Sequence, residues 1–183
     1  MHGRIGLAGV AVVLVVAGCG AEPDPVAMPA AAPVPVEPAA ASSGGACRLL
    51  DFDTIAKHSG TRFRVAAAST SGDTHTCVVR GEKAWPELTL TVSDTSIDAA
   101  TFSEDILPRG ATKVPKLGQI GYRRTISAKN AKQGPAAEVC WLAAEGRLAS
   151  LRWTFGPGAA QSAADTLTGK LVPLARGVRT REL

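Results

Sequence analysis

Residues 138–155 read EVCWLAAEGRLASLRWTF, and this stretch decides the fold class. It predicts a β-hairpin with strands over residues 138–143 and 148–155, joined by a turn at Glu145-Gly146. The second strand alternates between an inward apolar set and an outward polar set, namely Leu151, Trp153 and Phe155 against Ser150, Arg152 and Thr154. Alternation with a period of two residues is typical of a strand that buries one face.

The elements around this hairpin are short and joined by turns. A first helix is predicted from the N-cap Asp51 to Gly60, because a carboxylate satisfies the first amides and glycine readily ends a helix. Further strands are predicted over residues 61–67, 74–80, 88–92 and 120–126, and helices over residues 96–107 and 159–175. The strand over residues 61–67 should point three residues inward, Phe63, Val65 and Ala67. The pattern predicts a single α+β domain, with a mainly antiparallel sheet and two or three helices packed on one face.

The N-terminus carries an export signal. Arg4 is followed by an uncharged apolar run over residues 5–16 and then by the lipobox Val16-Ala17-Gly18-Cys19. The run is shorter than the roughly 20 residues that span a bilayer, and it has the length of a signal-peptide core. We therefore predict that residues 1–18 are removed and that Cys19 is acylated. This anchor would hold the protein on the extracytoplasmic face of the plasma membrane. The alternative is a short transmembrane anchor.

A proline-rich segment follows the predicted acylation site. Residues 19–46 contain six prolines spaced mainly by alanine and valine, and they end in Ser42-Ser43-Gly44-Gly45. Proline at this density prevents helix formation and favours an extended chain. The segment predicts a disordered tether, which either forms a stalk or only separates the domain from the lipid. Residues 47–183 then form the soluble extracytoplasmic domain.

The domain contains three cysteines, Cys47, Cys77 and Cys140, so one is left over from any disulfide. Disulfides persist outside the cytoplasm. Cys77 and Cys140 each begin a series of strand, turn, alternating strand and helix, a weak internal repeat. We therefore predict a Cys77–Cys140 disulfide, with Cys47–Cys77 as the alternative. The remaining cysteine is expected to be a small buried apolar residue.

The sequence offers little for catalysis or metal binding. His75-x-Cys77, with His58 elsewhere, does not supply the four ligands of a structural zinc site. The chain has no Gly-x-Ser-x-Gly motif, and Gly118-x-x-Gly121 lacks the rest of a phosphate-binding loop, so it indicates a turn or bulge. We predict no cofactor, no metal and no enzymatic activity.

One segment of the domain is strongly basic. Between Asp105 and Glu138 there is no acidic residue, and the same stretch holds seven cations, Arg109, Lys113, Lys116, Arg123, Arg124, Lys129 and Lys132. Three more follow at the C-terminus, Arg176, Arg179 and Arg181. The segment predicts a contact with anionic lipid, wall polymer or an acidic protein, and the alternative is a solvated basic surface. Nucleic acid is excluded mainly by the location. Neighbours on a strand point to opposite faces, so Arg123 and Arg124 cannot share one.

Several features resemble a family of uncharacterised actinobacterial lipoproteins whose domain of unknown function begins Cys-x-Leu-Leu. They are Cys47-Arg48-Leu49-Leu50, Cys77 on the second strand, Gly118-Gln119-Ile120-Gly121, Cys140 on a late strand, and an alanine-rich last helix. The resemblance covers residues 47–175 and implies an extracytoplasmic α+β lipoprotein with no known catalytic residues. The chain departs from that pattern in having Cys77-Val78-Val79 in place of Cys-x-Trp and in lacking a fourth domain cysteine.

These features together predict a lipid-anchored, non-enzymatic binding or assembly domain whose ligand contacts residues 109–132. One alternative is a carrier that holds a lipid or another apolar molecule between the sheet and the helices, since the chain has few aromatic residues to fill a core. A second alternative is an envelope-modifying enzyme. An apolar pocket would favour the carrier, and a cleft with perturbed ionisable groups would favour the enzyme.

Overall fold

The computed structural model of the protein describes residues 43–183, so the predicted signal peptide, Cys19 and residues 20–42 of the tether lie outside the described residues. This part of the chain contains seven strands, β1 Val65–Ser71, β2 Thr74–Arg80, β3 Glu87–Asp94, β4 Thr112–Lys113, β5 Ile120–Ile126, β6 Ala136–Ala143 and β7 Arg147–Thr154. They form one antiparallel sheet in the order β1-β2-β3-β7-β6-β5-β4.

Three helices accompany the sheet, α1 Phe52–Ser59, α2 Ala99–Thr101 and α3 Gln161–Gly177. Helix α2 continues directly as a π-helical turn over Phe102–Ile106, and 3₁₀ turns cover Gly45–Leu49 and Thr180–Glu182. Within residues 43–183 no helix is long and apolar enough to cross a bilayer. The predicted α+β class, with its antiparallel sheet, is confirmed.

The local sequence signals explain several of these elements. The Asp51 carboxylate accepts a hydrogen bond from the Thr54 amide at 2.8 Å, and Gly60 ends α1 in the left-handed conformation at φ 78°. The predicted hairpin is formed by β6 and β7, with Gly146 in the turn at φ 70°. These signals depend only on residues close in sequence, so the predicted cap and turn are also found in the folded protein.

The sheet has two different faces. The face covered by α1 and α3, called the helix face, carries the main apolar core, including Leu88, Leu90, Val92, Val139, Leu151 and Trp153. The opposite face, called the open face, carries the alternating residues Thr89, Thr91, Glu138, Ser150, Arg152 and Thr154. One end of the open face is covered by Phe102, which follows α2 and packs with Tyr122, Cys140 and Leu142.

The first strand differs from its prediction. It begins at Val65, whose side chain is 56% exposed, and Ala66 and Ala68 pack against the core instead. Phe63 precedes the strand and packs on Trp153 with ring centroids 5.0 Å apart. Strand β1 is an edge strand that pairs only with β2. Its inward residues are displaced by one position from the predicted ones, and a displacement of one residue exchanges the two faces of a strand.

The helix predicted over residues 96–107 is shorter. Asp98 caps it by accepting from the Thr101 amide at 2.8 Å, so the helix starts after Asp98. Its regular α-helical part covers only Ala99–Thr101 before the π turn. Leu107 is extended because it precedes Pro108, which disfavours helical geometry at the residue before it.

The predicted Cys77–Cys140 disulfide is wrong, because Cys47 and Cys77 are bonded to each other with Cα atoms 4.8 Å apart. Strands β2 and β6 are separated by β3 and β7, which places Cys77 and Cys140 about 14 Å apart, beyond the reach of a disulfide. Cys77 also lies opposite Leu90 on the helix face, whereas Cys140 lies opposite Ser150 on the open face. Among the described residues Cys140 is the free cysteine, and it is buried.

Candidate functional site: a polar hollow on the open face

The middle of the open face forms a hollow floored by strands β3, β7 and β6. Its volume is about 490 Å³, and its floor consists of Thr89, Thr91, Glu138, Ser150, Arg152 and Thr154. A second depression of about 230 Å³ shares Thr91, Glu138 and Ser150 with it and extends to Tyr122, Arg124 and Cys140. We call the two together the polar hollow. A concave surface lined by convergent polar groups is the usual form of a small-ligand site.

Glu138 is the most enclosed charge in the polar hollow. The residue is only 8% exposed, and its Oε1 accepts from Arg124 Nε at 2.7 Å and from the Tyr122 hydroxyl at 3.2 Å. Strand pairing creates this contact, because Arg124 lies directly opposite Glu138 in the β5–β6 register. Burial opposes the charge on Arg124, but the hydrogen bond and the charge of Glu138 outweigh it and raise the pKa of the guanidinium. The contact with Glu138 therefore keeps the Arg124 guanidinium charged.

Tyr122 and Cys140 lie beside this pair and keep their protons at neutral pH. Burial, together with the neighbouring Cys140 and Glu138, raises the pKa of the Tyr122 phenol above its usual range. Burial is also the main cause that raises the pKa of the Cys140 thiol to about 11. A nucleophilic cysteine requires a lowered pKa. This part of the hollow therefore offers hydrogen-bond donors rather than an activated thiolate.

Arg152 lies at the centre of the open face, between Thr89 on β3 and Glu138 on β6. No carboxylate within residues 43–183 lies within 4.0 Å of its guanidinium, because Glu138 turns towards Arg124 instead. The side chain is half-buried among the hydroxyls of Thr89, Ser150 and Thr154. A guanidinium has five N–H donors and no acceptor, so this position suits an anionic group.

The structure does not gather the seven predicted basic residues into one site. Only Arg124 and Lys129 line the polar hollow. Arg123 points to the helix face, where its Nη1 would lie 3.4 Å from a Cβ added at Gly169 of α3. The predicted separation of Arg123 and Arg124 is therefore confirmed. The four remaining residues are exposed at other places, Arg109, Lys113, Lys116 and Lys132.

Lys116 belongs to a different groove at the end of the sheet. This groove has a volume of about 380 Å³ and also contains Arg176, Arg179 and Arg181, the basic residues of the C-terminus. Arg176 donates to the Pro115 carbonyl at 3.0 Å, and Arg179 pairs with Glu182 at 3.3 Å. Two of the arginines in this groove therefore already have partners within the protein.

Sequence reasoning missed Arg152 and Glu138 as site residues. It had placed Ser150, Arg152 and Thr154 on the outward side of their strand, which the structure confirms. The sequence does not indicate that β3 lies beside β7. This strand order places Thr89 and Thr91 next to Arg152 and Ser150. The available signal was the run of threonine, serine and charged residues at alternate positions of three strands.

Comparison with known proteins adds no relative. Searches against protein-family models, curated proteins and solved structures found no match to this chain. The described part of the chain also contains no group of three or more His, Cys, Asp or Glu side chains that could hold a metal ion.

Proposed function

We propose that this protein is a lipid-anchored binding domain of the cell envelope, and that its polar hollow binds an anionic ligand. The observation that carries the proposal is the position of Arg152, a half-buried cation at the centre of a concave polar surface without a carboxylate partner among residues 43–183. Partly burying a cation is costly unless an opposite charge meets it. A bound anion would supply that charge.

The charges around the hollow support this reading. Glu138 is paired with Arg124. Glu87 also lines the hollow, and it accepts from Arg80 Nε at 2.7 Å. Both acidic groups of the hollow are thus compensated by arginines, which leaves Arg152 and Lys129 as the surplus. Neither of these two has an ion pair with a described residue. The surplus is positive and is centred on Arg152, whereas the sequence predicted a contact spread over residues 109–132.

The surrounding groups indicate the class of ligand. A guanidinium binds a carboxylate or phosphate through two parallel hydrogen bonds, and the neighbouring hydroxyls of Thr89, Ser150 and Thr154 can bind hydroxyl groups next to that anion. Sugar acids and sugar phosphates combine both features. They are also the chemistry of anionic wall polymers and glycolipid heads, which the predicted location would place within reach.

Binding is tested with matched sugars on the chain from residue 43 onwards, which contains all seven strands and both apolar clusters. Glucose 6-phosphate and galacturonate should bind, and glucose and galactose should bind much more weakly. Arg152→Gln should weaken anion binding at least about tenfold, equivalent to about 1.4 kcal/mol. Lys132→Gln, an exposed residue outside the hollow, is the matched control.

Two results would overturn the proposal for the hollow. One is that wild-type protein binds neither anion in calorimetric or NMR titrations. The other is that the Arg152→Gln and Lys132→Gln proteins bind with the same affinity. Circular dichroism and thermal unfolding of the Arg152→Gln protein establish that it is folded. Arg152 has no ion pair with a described residue, so its replacement breaks no salt bridge and should not lower the unfolding temperature.

The anchor is tested separately in cells. Cys19→Ala removes the proposed acyl acceptor, so it should abolish labelling by a palmitate analogue and block signal-peptide removal at this site. Two acyl chains on one cysteine bind a membrane far more strongly than one chain, at about 0.8 kcal/mol per buried methylene. Undiminished labelling of the Cys19→Ala protein would contradict the lipoprotein assignment without affecting the ligand-binding proposal.

A further inference from the structure

Strand β1 lies at one edge of the sheet and has no neighbouring strand on its outer side within the described chain. Such an edge presents a row of unpaired backbone N–H and C=O groups, which can pair with a strand of another chain. Native proteins usually prevent this with charged residues, proline or a very short edge strand. The seven residues of β1 read VAAASTS, and they pair with β2 without interruption, so β1 has none of these protections.

The opposite edge of the sheet shows the usual protection. Strand β4 has only two residues, Thr112–Lys113, and one of them is a lysine. Pro115 follows shortly after the strand and has no backbone N–H to donate. The two edges therefore differ, because β4 opposes pairing with a further strand and β1 permits it.

The turn between β1 and β2 determines which backbone groups of β1 point outward. Ser71 and Thr74 face each other across a turn of two residues, so they form a hydrogen-bonded pair. In an antiparallel ladder such pairs recur at every second residue, and the residues between them direct their N–H and C=O groups away from the partner strand. In β1 these outward residues are Ala66, Ala68 and Thr70.

Most of the outward groups have no partner in the described chain. The Ala66 carbonyl accepts from the Ser43 hydroxyl at 3.0 Å, which agrees with its outward direction. Outside the β1–β2 ladder, the backbone groups of Ala68 and Thr70 form no hydrogen bond with a described residue. Val65, at the start of the same strand, has a side chain that is 56% exposed. The edge is therefore accessible along most of its length in the part of the chain that the structure describes.

We propose that β1 pairs with β1 of a second copy of this chain, so that the two sheets join into one. Ala68 is the central residue of β1 and is itself an outward residue. In an antiparallel pairing about a two-fold axis at this position, Ala68 faces Ala68 of the second copy and Ala66 faces Thr70. Each facing pair can then exchange two hydrogen bonds. A carbonyl oxygen accepts two hydrogen bonds, so Ser43 keeps its contact with Ala66.

Charge favours a second copy over a strand of another protein. Strand β1 is uncharged, so pairing it with itself brings no like charges together. The same register places Arg64 of each copy beside the Gly72-Asp73 turn of the other. Asp73 is exposed and has no ion pair with a described residue. Arg64 has an exposed pair with Glu82, which leaves other N–H donors of its guanidinium for Asp73. Opposite charges therefore meet at both ends of the paired strands.

Cysteines introduced on β1 test the register. In the proposed pairing Ala67 lies opposite Ser69 of the second copy, with Cα atoms about 4.5 Å apart, which a disulfide can bridge. Ala67→Cys and Ser69→Cys proteins are mixed and oxidised, each in a Cys140→Ala background and as the chain from residue 20 onwards. This mixture should form a linked dimer at least about tenfold faster than Ala67→Cys mixed with Thr70→Cys, because residues 67 and 70 then point to opposite faces.

Two substitutions at one position separate the backbone contact from the side chain. The Thr70 N–H points outward, so Thr70→Pro removes a donor of the proposed pairing and no hydrogen bond to β2. Thr70→Ala keeps this N–H, and both variants lose the hydroxyl that lies 3.1 Å from His75 Nδ1. In sedimentation equilibrium the wild-type chain from residue 20 onwards should form a dimer. Thr70→Pro should weaken this dimer at least about tenfold and Thr70→Ala less than about threefold.

Four results would overturn the proposal. They are a wild-type protein that remains monomeric, equal rates of linkage in the two cysteine mixtures, equal dimerisation of the Thr70→Pro and Thr70→Ala proteins, and a dimer of the chain from residue 43 that the chain from residue 20 does not form. The last result would assign the edge to the preceding residues of the same chain. The cysteine mixtures test the pairing even if Thr70→Pro fails to fold. No β1 residue lines the polar hollow, so the Arg152 experiments are unaffected.

Discussion

The helix face and the open face are built from the same strands and have opposite character. On β7, Leu151 and Trp153 are buried beneath the helices, whereas Ser150 and Arg152 lie between them in sequence and line the polar hollow. Successive side chains of a strand point to opposite faces, so one strand contributes to both. The helix face holds the fold together, and the open face carries the polar hollow.

The two buried cysteines on the sheet show the same difference. Cys77 lies on the helix face and is bonded to Cys47 inside the main core. Cys140 lies on the open face as a free thiol beside Tyr122. The one cysteine stabilises the fold covalently, and the other contributes to the wall of a hollow. The predictions below test whether this division into a structural face and a binding face is correct.

The largest effect should come from Leu151→Ala on the helix face. Leu151 is fully buried, so its truncation should lower the free energy of unfolding by about 2–5 kcal/mol. Ser150→Ala, its neighbour on the open face, should change it by no more than about 0.5 kcal/mol. Urea unfolding of both proteins measures the contrast, and similar losses would show that the two faces do not differ in this way.

Loss of the Cys47–Cys77 disulfide should have the next largest effect. A bond between residues separated by 30 positions stabilises by about 3.6 kcal/mol in the chain-entropy model. The double variant Cys47→Ala, Cys77→Ala should lose about this amount, and Cys140→Ala should lose less. Peptide mapping without reduction should recover Cys47 linked to Cys77, and recovery of a Cys77–Cys140 peptide would contradict the observed strand order.

Within the open face, Glu138→Gln should be the most destabilising change. It leaves the half-buried Arg124 facing a neutral group, which should cost about 1–3 kcal/mol at neutral pH. Glu82→Gln breaks an exposed pair with Arg64, whose side chains are 70% and 77% exposed, and should cost under about 1 kcal/mol. If both variants unfold at the same urea concentration, the Glu138 pair does not organise the hollow.

The smallest effect should appear at alkaline pH. Burial raises the pKa of the Cys140 thiol from 9.0 to about 11, so the unfolded chain releases this proton at lower pH than the folded one. The thiol's contribution to stability is complete below pH 9.0 and is lost as the pH rises towards 11. Each pH unit in this window removes at most about 1.4 kcal/mol, the limiting slope for one proton.

The matched protein for this measurement is Cys140→Ala, which lacks the thiol and retains the neighbouring Tyr122. Between about pH 9 and pH 10, wild-type protein should lose about 1 kcal/mol more stability than Cys140→Ala. Urea unfolding at the two pH values gives the difference. Equal losses would mean that Cys140 is more exposed to solvent than the open-face packing allows.

Local patterns accounted for much of this fold. Strand β2 was predicted at its observed residues, alternation predicted the buried residues Leu88, Leu90 and Val92 of β3, and Asp51 and Gly60 predicted the ends of α1. The prediction was less accurate for strand β1 and for the helix before Pro108. The alternation around Val65 was assigned to the wrong face because the edge position of β1 was unknown, and the helix before Pro108 was predicted too long.

By itself the sequence determined the α+β class, most of the strands, and the outward position of Arg152, because each follows from a repeat of two residues or from a capping residue. Only the tertiary structure decided that β3 lies beside β7 and that Cys77 bonds to Cys47. It also decided that Glu138 pairs with Arg124, which leaves Arg152 without a carboxylate partner in the described chain. Those outcomes depend on which strands become neighbours. Strand order results from burying the whole helix face at once, and no short stretch of sequence contains that information.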